Sequence, residues 1–156
     1  VEFMVSTAKE ETAPTISGVT NNKVYNKPTT IKVNDASGIA EAAYRKDSAA
    51  VVSFDLTQTL KKNGTYTVTA KDYYGNEAVK TFTIKDTKKP TVSGVKNGKT
   101  YIGPKVVKFK DNCGIAKATL NGKKISSGKK ISKKGSYKLV VTDINGLKTI
   151  VSFKIK

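Results

Sequence analysis

The chain repeats itself, and the repeat constrains its fold more than any other feature. Pro14-Thr15-Ile16-Ser17-Gly18-Val19 returns as Pro90-Thr91-Val92-Ser93-Gly94-Val95, a shift of 76 residues. The same shift carries Lys23-Val24-Tyr25 onto Lys99-Thr100-Tyr101. It also carries Asp35-Ala36-Ser37-Gly38-Ile39-Ala40 onto Asp111-Asn112-Cys113-Gly114-Ile115-Ala116. Beyond this the shift becomes 71: Gly64-Thr65-Tyr66 matches Gly135-Ser136-Tyr137, and Asp72, Gly75, Phe82 and Ile84 match Asp143, Gly146, Phe153 and Ile155. The first copy therefore carries five extra residues between Tyr44 and Gly64.

Within each copy the pattern is that of short strands. Thr30-Ile31-Lys32-Val33-Asn34 alternates polar and apolar, as Lys105-Val106-Val107-Lys108-Phe109-Lys110 does over most of its length. Runs from Tyr66 to Ala70, Tyr137 to Thr142, Val79 to Ile84 and Ile150 to Ile155 are rich in β-branched and aromatic residues. Period-2 alternation buries one face of a strand. Asn63-Gly64, Asn97-Gly98, Asn121-Gly122 and Asn145-Gly146 supply tight-turn dipeptides. No window sustains a helical period. The expectation is all-β: two tandem sandwiches, Greek-key, with about seven short strands each. Tyr66 and Tyr137, each two residues after a turn glycine, are expected to form the tyrosine corner of such a fold.

The domains are expected at residues 14–86 and 90–156, joined by the short polar segment Lys85-Asp86-Thr87-Lys88-Lys89-Pro90. Proline there fixes φ and favours an extended approach. Residues 1–13 read as a linker or the end of a preceding module, because Lys9-Glu10-Glu11-Thr12-Ala13-Pro14 has the same character. No apolar run is long enough to span a membrane, and a secretory signal, if the protein is exported, would lie outside this chain.

These motifs in this order resemble the tandem immunoglobulin-like modules of Gram-positive cell-surface and secreted proteins. The resemblance rests on the Pro-Thr-(Ile/Val) entry, Asp-x-x-Gly-Ile-Ala, Gly-x-Tyr, and the hairpins Asp72-Tyr73-Tyr74-Gly75-Asn76 and Asp143-Ile144-Asn145-Gly146. The second copy departs by having Leu147 where the first has Asn76. The resemblance implies immunoglobulin-like sandwiches acting as spacers, stalks or adhesive units at the cell wall or outside the cell, as monomers within a larger chain. A sandwich with an odd number of strands would also put its two ends at opposite poles, so that copies string end to end.

Composition narrows the chemistry. With no His and a single Cys among 156 residues, there is no Ser-His-Asp or Cys-His pair, no internal disulfide and no cysteine-rich zinc site. An enzyme is not expected, and no cofactor or metal is assigned. Asp35, Asp72 and Asp86 suggest a calcium group near one pole, but turn-forming duty explains Asp in Asp-x-x-Gly equally well. Cys113, at the position of Ser37, reads as a small residue in a turn. Of the net charge of +17, residues 90–156 contribute +14, from 16 Lys and 2 Asp. Lys123, Lys124, Lys129, Lys130, Lys133 and Lys134 are the candidate contacts for an anionic cell-wall polymer. Tyr73 and Tyr74, replaced by Ile144 and Asn145 in the second copy, are the candidate contacts for a glycan or host ligand. Sequence-specific nucleic-acid binding is disfavoured, because 28 of the 29 basic residues are Lys rather than the Arg that reads base edges.

Overall fold

The computed structural model describes residues 10–156, so the reading of residues 1–13 as a linker or the end of a preceding module lies, over residues 1–9, outside the described residues. The chain divides between Lys85 and Asp86 into two compact units. Both are immunoglobulin-like β-sandwiches, and no helix occurs among the described residues.

The first unit contains β1 (Thr15–Ser17), β2 (Val24–Tyr25), β3 (Thr29–Asn34), β4 (Ile39–Lys46), β5 (Val52–Ser53), β6 (Thr57–Leu60), β7 (Gly64–Asp72) and β8 (Glu77–Ile84). One sheet has the order β1-β3-β6 and the other β2-β8-β7-β4-β5. The second unit repeats this with β9 (Thr91–Ser93), β10 (Lys99–Tyr101), β11 (Lys105–Lys110), β12 (Ile115–Leu120), β13 (Lys123–Lys124), β14 (Lys129–Ile131), β15 (Gly135–Asp143) and β16 (Lys148–Ile155). Its sheets are β14-β11-β9 and β10-β16-β15-β12-β13. The count reaches eight per unit because the entry run divides: β1 pairs with β3, and then β2 crosses to pair parallel with β8.

That parallel pair keeps the chain ends apart despite an even number of strands. Since β2 runs alongside β8 in the same direction, the chain enters at the end where β8 begins and leaves where β8 finishes. Glu10 is hydrogen-bonded to Asn76 beside the Asp72 end of β7, whereas Ile84 pairs with Gly64 at its other end. In the second unit Asp86 meets Asn145 beside the Asp143 end of β15, and Ile155 pairs with Gly135. A nine-residue strand separates the two ends by about 26 Å.

Alternation builds each core. Ile31 and Val33 of β3 and Tyr66, Val68 and Ala70 of β7 point inward, joined by Ile16, Leu60, Phe82 and Ile84. Val107, Leu139, Val141, Val151, Phe153 and Ile155 form the corresponding core of the second unit. The expected tyrosine corners are formed: Tyr66 donates its hydroxyl to the Lys62 carbonyl at 2.8 Å and Tyr137 to that of Lys133 at 2.6 Å. Both rings stack on the phenylalanine of the last strand, with centroids 5.7 Å apart for Tyr66 and Phe82 and 5.3 Å for Tyr137 and Phe153.

The five extra residues of the first copy fall in the turn between β4 and β5. Tyr44 pairs with Val52 there, leaving residues 45–51 to close the hairpin, where Leu120 and Lys123 are joined by Asn121-Gly122 alone. Both turn residues have positive φ, 48° and 82°, as a two-residue hairpin of this hand requires.

Candidate functional sites

At the entry end of each sandwich, loops bring carboxylates together. Asp35 follows β3, and its Oδ1 accepts the Ser37 N–H at 2.8 Å. Asp72 ends β7, where its Oδ1 accepts the N–H groups of Tyr74 and Asn76, both at 2.8 Å. Asp111 receives the N–H of Cys113 at 2.8 Å and of Gly114 at 3.2 Å. Asp143 receives those of Asn145 at 2.8 Å and Leu147 at 2.9 Å. The turn-forming duty expected of Asp-x-x-Gly is therefore fulfilled in all four turns.

The acids group by unit rather than in the set Asp35, Asp72 and Asp86 considered from sequence. Glu10, Asp35 and Asp72 bring one carboxylate oxygen each within 4.8 Å of one another, and Asp86, Asp111 and the Cys113 sulfur do the same. Glu10 was missed in the sequence. Its signal was the repeat itself, since Glu10 and Asp86 stand 76 residues apart like the rest of the entry segment.

The two clusters differ at one position. In the first unit the Asn76 amide nitrogen lies 2.8 Å from Asp72 Oδ2 and 2.9 Å from Glu10 Oε2, with the carbonyls of Glu10 and Thr12 at 3.1 and 3.4 Å. Burial would raise the Asp72 pKa, but this amide and the N–H groups of Asn76, Tyr74 and Gly75 hold it below the ordinary value. In the second unit Leu147 takes the place of Asn76. Asp86 is instead bonded by the amides of Asn112 at 3.2 Å and Asn145 at 3.3 Å. Burial raises its pKa, yet the Lys88 N–H, both amides and the Cys113 thiol outweigh that and leave it lowered. Oδ2 of Asp111 and Oδ2 of Asp143 are buried with no hydrogen-bond partner among the described residues.

Cys113 is buried, and its pKa is pushed up to about 12, first by burial, then by its hydrogen bond to Asp86 and by the charges of Asp86, Asp111 and Asp143. Such a thiol is a poor nucleophile at neutral pH.

Tyr73 and Tyr74 sit at the tip between β7 and β8, with 73% and 55% of their surface exposed. They do not form a joint platform with core residues; the Tyr73 ring lies over Gly38, where a Cβ would come within 3.0 Å of it.

The six candidate lysines are all exposed, on β13, on β14 and in the loop that follows. Lys123, Lys124 and Lys129 are brought together around a groove of about 340 Å³ with Leu120, Asn121, Ile125, Ile131 and Tyr137. Lys130, Lys133 and Lys134 do not line it. None of the six makes a salt bridge among the described residues. No helix is long and apolar enough to cross a membrane among those residues.

By sequence the chain matches no family profile and no curated protein. Among solved structures it is similar to the fibronectin(III)-like modules of Clostridium thermocellum CbhA, at 16% identity over 91% of this chain and 92% of that one, with a TM-score of 0.31. The insect immune protein hemolin is 14% identical over 96% of this chain and 48% of its own, with a TM-score of 0.41. The N-terminal Ig1-2 module of the Drosophila receptor protein tyrosine phosphatase DLAR is 13% identical over 92% and 98%, with a TM-score of 0.37. At these values the immunoglobulin-like assignment rests on strand order and the tyrosine corners, not on the neighbours.

Proposed function

We propose that the chain is a non-catalytic spacer or stalk, with adhesion as a related role, in a bacterial cell-surface or secreted protein, lying outside the cell at the wall. The observation that supports this reading best is the separation of entry and exit in each unit, at opposite ends of β7 and of β15. A module inserted this way lengthens a chain. The absence of His and of a reactive thiol agrees with a role without catalysis.

Exchange tests it. A reporter domain is displayed on Gram-positive cells with this chain between reporter and anchor, and its capture by an immobilised ligand is measured. Capture should fall when the chain is deleted and return when an unrelated tandem sandwich of equal length replaces it. If the unrelated pair fails to restore capture, this chain does more than set distance.

A second reading, binding of an anionic wall polymer or acidic glycan, is favoured by the groove walled by Lys123, Lys124 and Lys129. Cations that form no salt bridge among the described residues, beside an apolar floor containing Tyr137, suit a negatively charged sugar polymer. Tyr73 and Tyr74 are a separate glycan-stacking proposal at the opposite kind of surface, exposed rings at a hairpin tip. An accessory role beside a wall hydrolase or glycosidase remains a variant of this reading.

A further inference from the structure

We infer that the lysine groove is one half of a longer track, on which the second unit holds a linear polymer with closely spaced phosphate or sulfate groups. The inference deepens the anionic-polymer reading and rests on it. A second groove, of about 410 Å³, lies across β10, β16 and β15 and is walled by Lys99, Lys138 and Lys154. It shares Asn121 and Tyr137 with the first groove, so the two are continuous around the β12–β13 turn. All three added lysines are exposed, and none makes a salt bridge among the described residues. The track crosses the sheet in the order β10-β16-β15-β12-β13, four strand spacings or about 19 Å.

The first unit shows that the fold does not require this surface. Thr67 and Thr83 stand there where the second unit has Lys138 and Lys154. Their hydroxyls bond across the strands, Thr67 with Thr81 and Thr83 with Thr65, each at 3.3 Å. In the second unit Lys138 pairs opposite Ser152, and Lys154 opposite Ser136. Each ammonium stem therefore has a small neutral neighbour across the strand, which avoids the repulsion of like charges in register.

The joint between the two grooves carries the sharpest difference. In the first unit Asp47, at φ 51°, clamps its turn onto β7: its N–H donates to the Thr65 carbonyl at 2.7 Å, and its Oδ1 accepts the Thr65 N–H at 2.8 Å. In the second unit Asn121, at φ 48°, makes the same two bonds to Lys138 of β15, at 2.9 and 2.7 Å. One clamp is a carboxylate and the other a neutral amide. A carboxylate at mid-track would repel a polyanion, and the second unit has none there. Asp111 and Asp143 are the only acids of residues 90–156, and both are bonded by turn N–H groups at the entry end. Lysines along a groove without acids focus a field that draws anions in. Tyr137 completes the floor. Tyr66 is buried beside Tyr44, with ring centroids 6.0 Å apart, but Leu120 stands at the position of Tyr44 and leaves Tyr137 half-buried.

The full chain is passed at rising salt over immobilised glycerol-phosphate teichoic acid, heparin and uncharged dextran. Retention by teichoic acid or heparin, but not by dextran, is expected, and the stronger of the two separates a phosphate polymer from a sulfated sugar as the source. Lys138→Thr combined with Lys154→Thr installs the side chains with which the first unit folds. It should lower the slope of log affinity against log salt by about 1–2. Asn121→Asp keeps the acceptor of the clamp and should weaken binding at least roughly fivefold at low salt. Should that variant melt below the parent chain, the double variant carries the test. Lys108→Ser combined with Lys110→Ser removes the same charge from exposed positions on the other sheet, and should have less than half the effect. No retention of the parent chain would overturn the polymer reading and the track with it. Retention that falls when Lys123, Lys124 and Lys129 are changed to Ser, but responds to Lys138→Thr with Lys154→Thr no more than to the control, would overturn the track alone.

Discussion

The hydroxyl of Tyr66 reaches back four residues to the carbonyl of Lys62, 2.8 Å away, and pins the start of β7 to the loop that delivers it. The bond stands in for a backbone partner at the turn where the chain passes from one sheet to the other. Tyr66→Phe keeps the stack on Phe82 and removes only the donor. Losing this part-buried hydrogen bond costs about 1 kcal/mol, so urea denaturation of the full chain should register a loss of that order in the first unit. An unchanged midpoint would mean that the corner is decorative.

The same hydroxyl confers a pH dependence. Burial, and then the neighbouring Tyr44 and Asp47, raise its pKa from 10.0 to about 12. In the unfolded chain the group titrates near its ordinary value, so the unfolded state loses the proton first as pH rises. The contribution is fully present below about pH 10 and disappears as pH climbs towards 12. Absorbance titration of the folded protein should find a late tyrosine component near pH 12, and that component should vanish in Tyr66→Phe.

Gly18 and Gly94, both in the repeated Ser-Gly-Val, sit at φ of 81° and 85°. A Cβ at either would be driven into a backbone carbonyl oxygen of the adjacent strand, that of Thr30 or Val106. Gly146, at φ 87°, has open space where a Cβ would lie. Gly146→Ala should therefore cost about 1–2 kcal/mol from backbone strain alone. Gly18→Ala and Gly94→Ala should cost clearly more, because strand separation has to change as well. Equal melting temperatures for the three variants would contradict this.

Much of the fold was legible because strand alternation and turn chemistry are local. The tyrosine corners and the Asn121-Gly122 hairpin follow from residues a few positions apart, and the repeat register from the recurrence of such short motifs. The position of the five-residue insertion emerged only from pairing, since the partner strand of Tyr44, Val52–Ser53, is too short to carry a pattern. The parallel pairing of β2 with β8 was hidden for the same reason: two residues, Val24 and Tyr25, carry no periodicity. For the acids, sequence suggested the right residue type and the wrong grouping. Glu10 and Asp86 are remote in sequence from the turns they join, and only the folded chain separates one cluster from the other.

Cys113 tests the electrostatics of the second cluster. Its pKa, pushed up from the ordinary 9.0 to about 12, leaves little thiolate at pH 8, and the sulfur is buried besides. A disulfide reagent added to the native chain should react very slowly. The same reagent should react within minutes in denaturant. Rapid labelling of the folded protein would show that the second unit opens around Asp86 and Asp111.

The lysine groove makes its prediction through salt. If Lys123, Lys124 and Lys129 contact an anionic polymer, changing all three to Ser should lower the salt concentration at which the full chain leaves immobilised teichoic acid or heparin. The slope of log affinity against log salt should fall by about 2–3, one phosphate or sulfate contact per lysine. Changing the exposed Lys27, Lys32 and Lys71 of the first unit removes the same charge from a different surface. Its effect should be less than half as large. Equal shifts in the two triple variants would mean that the polymer responds to net charge alone and that the groove has no special part in binding it.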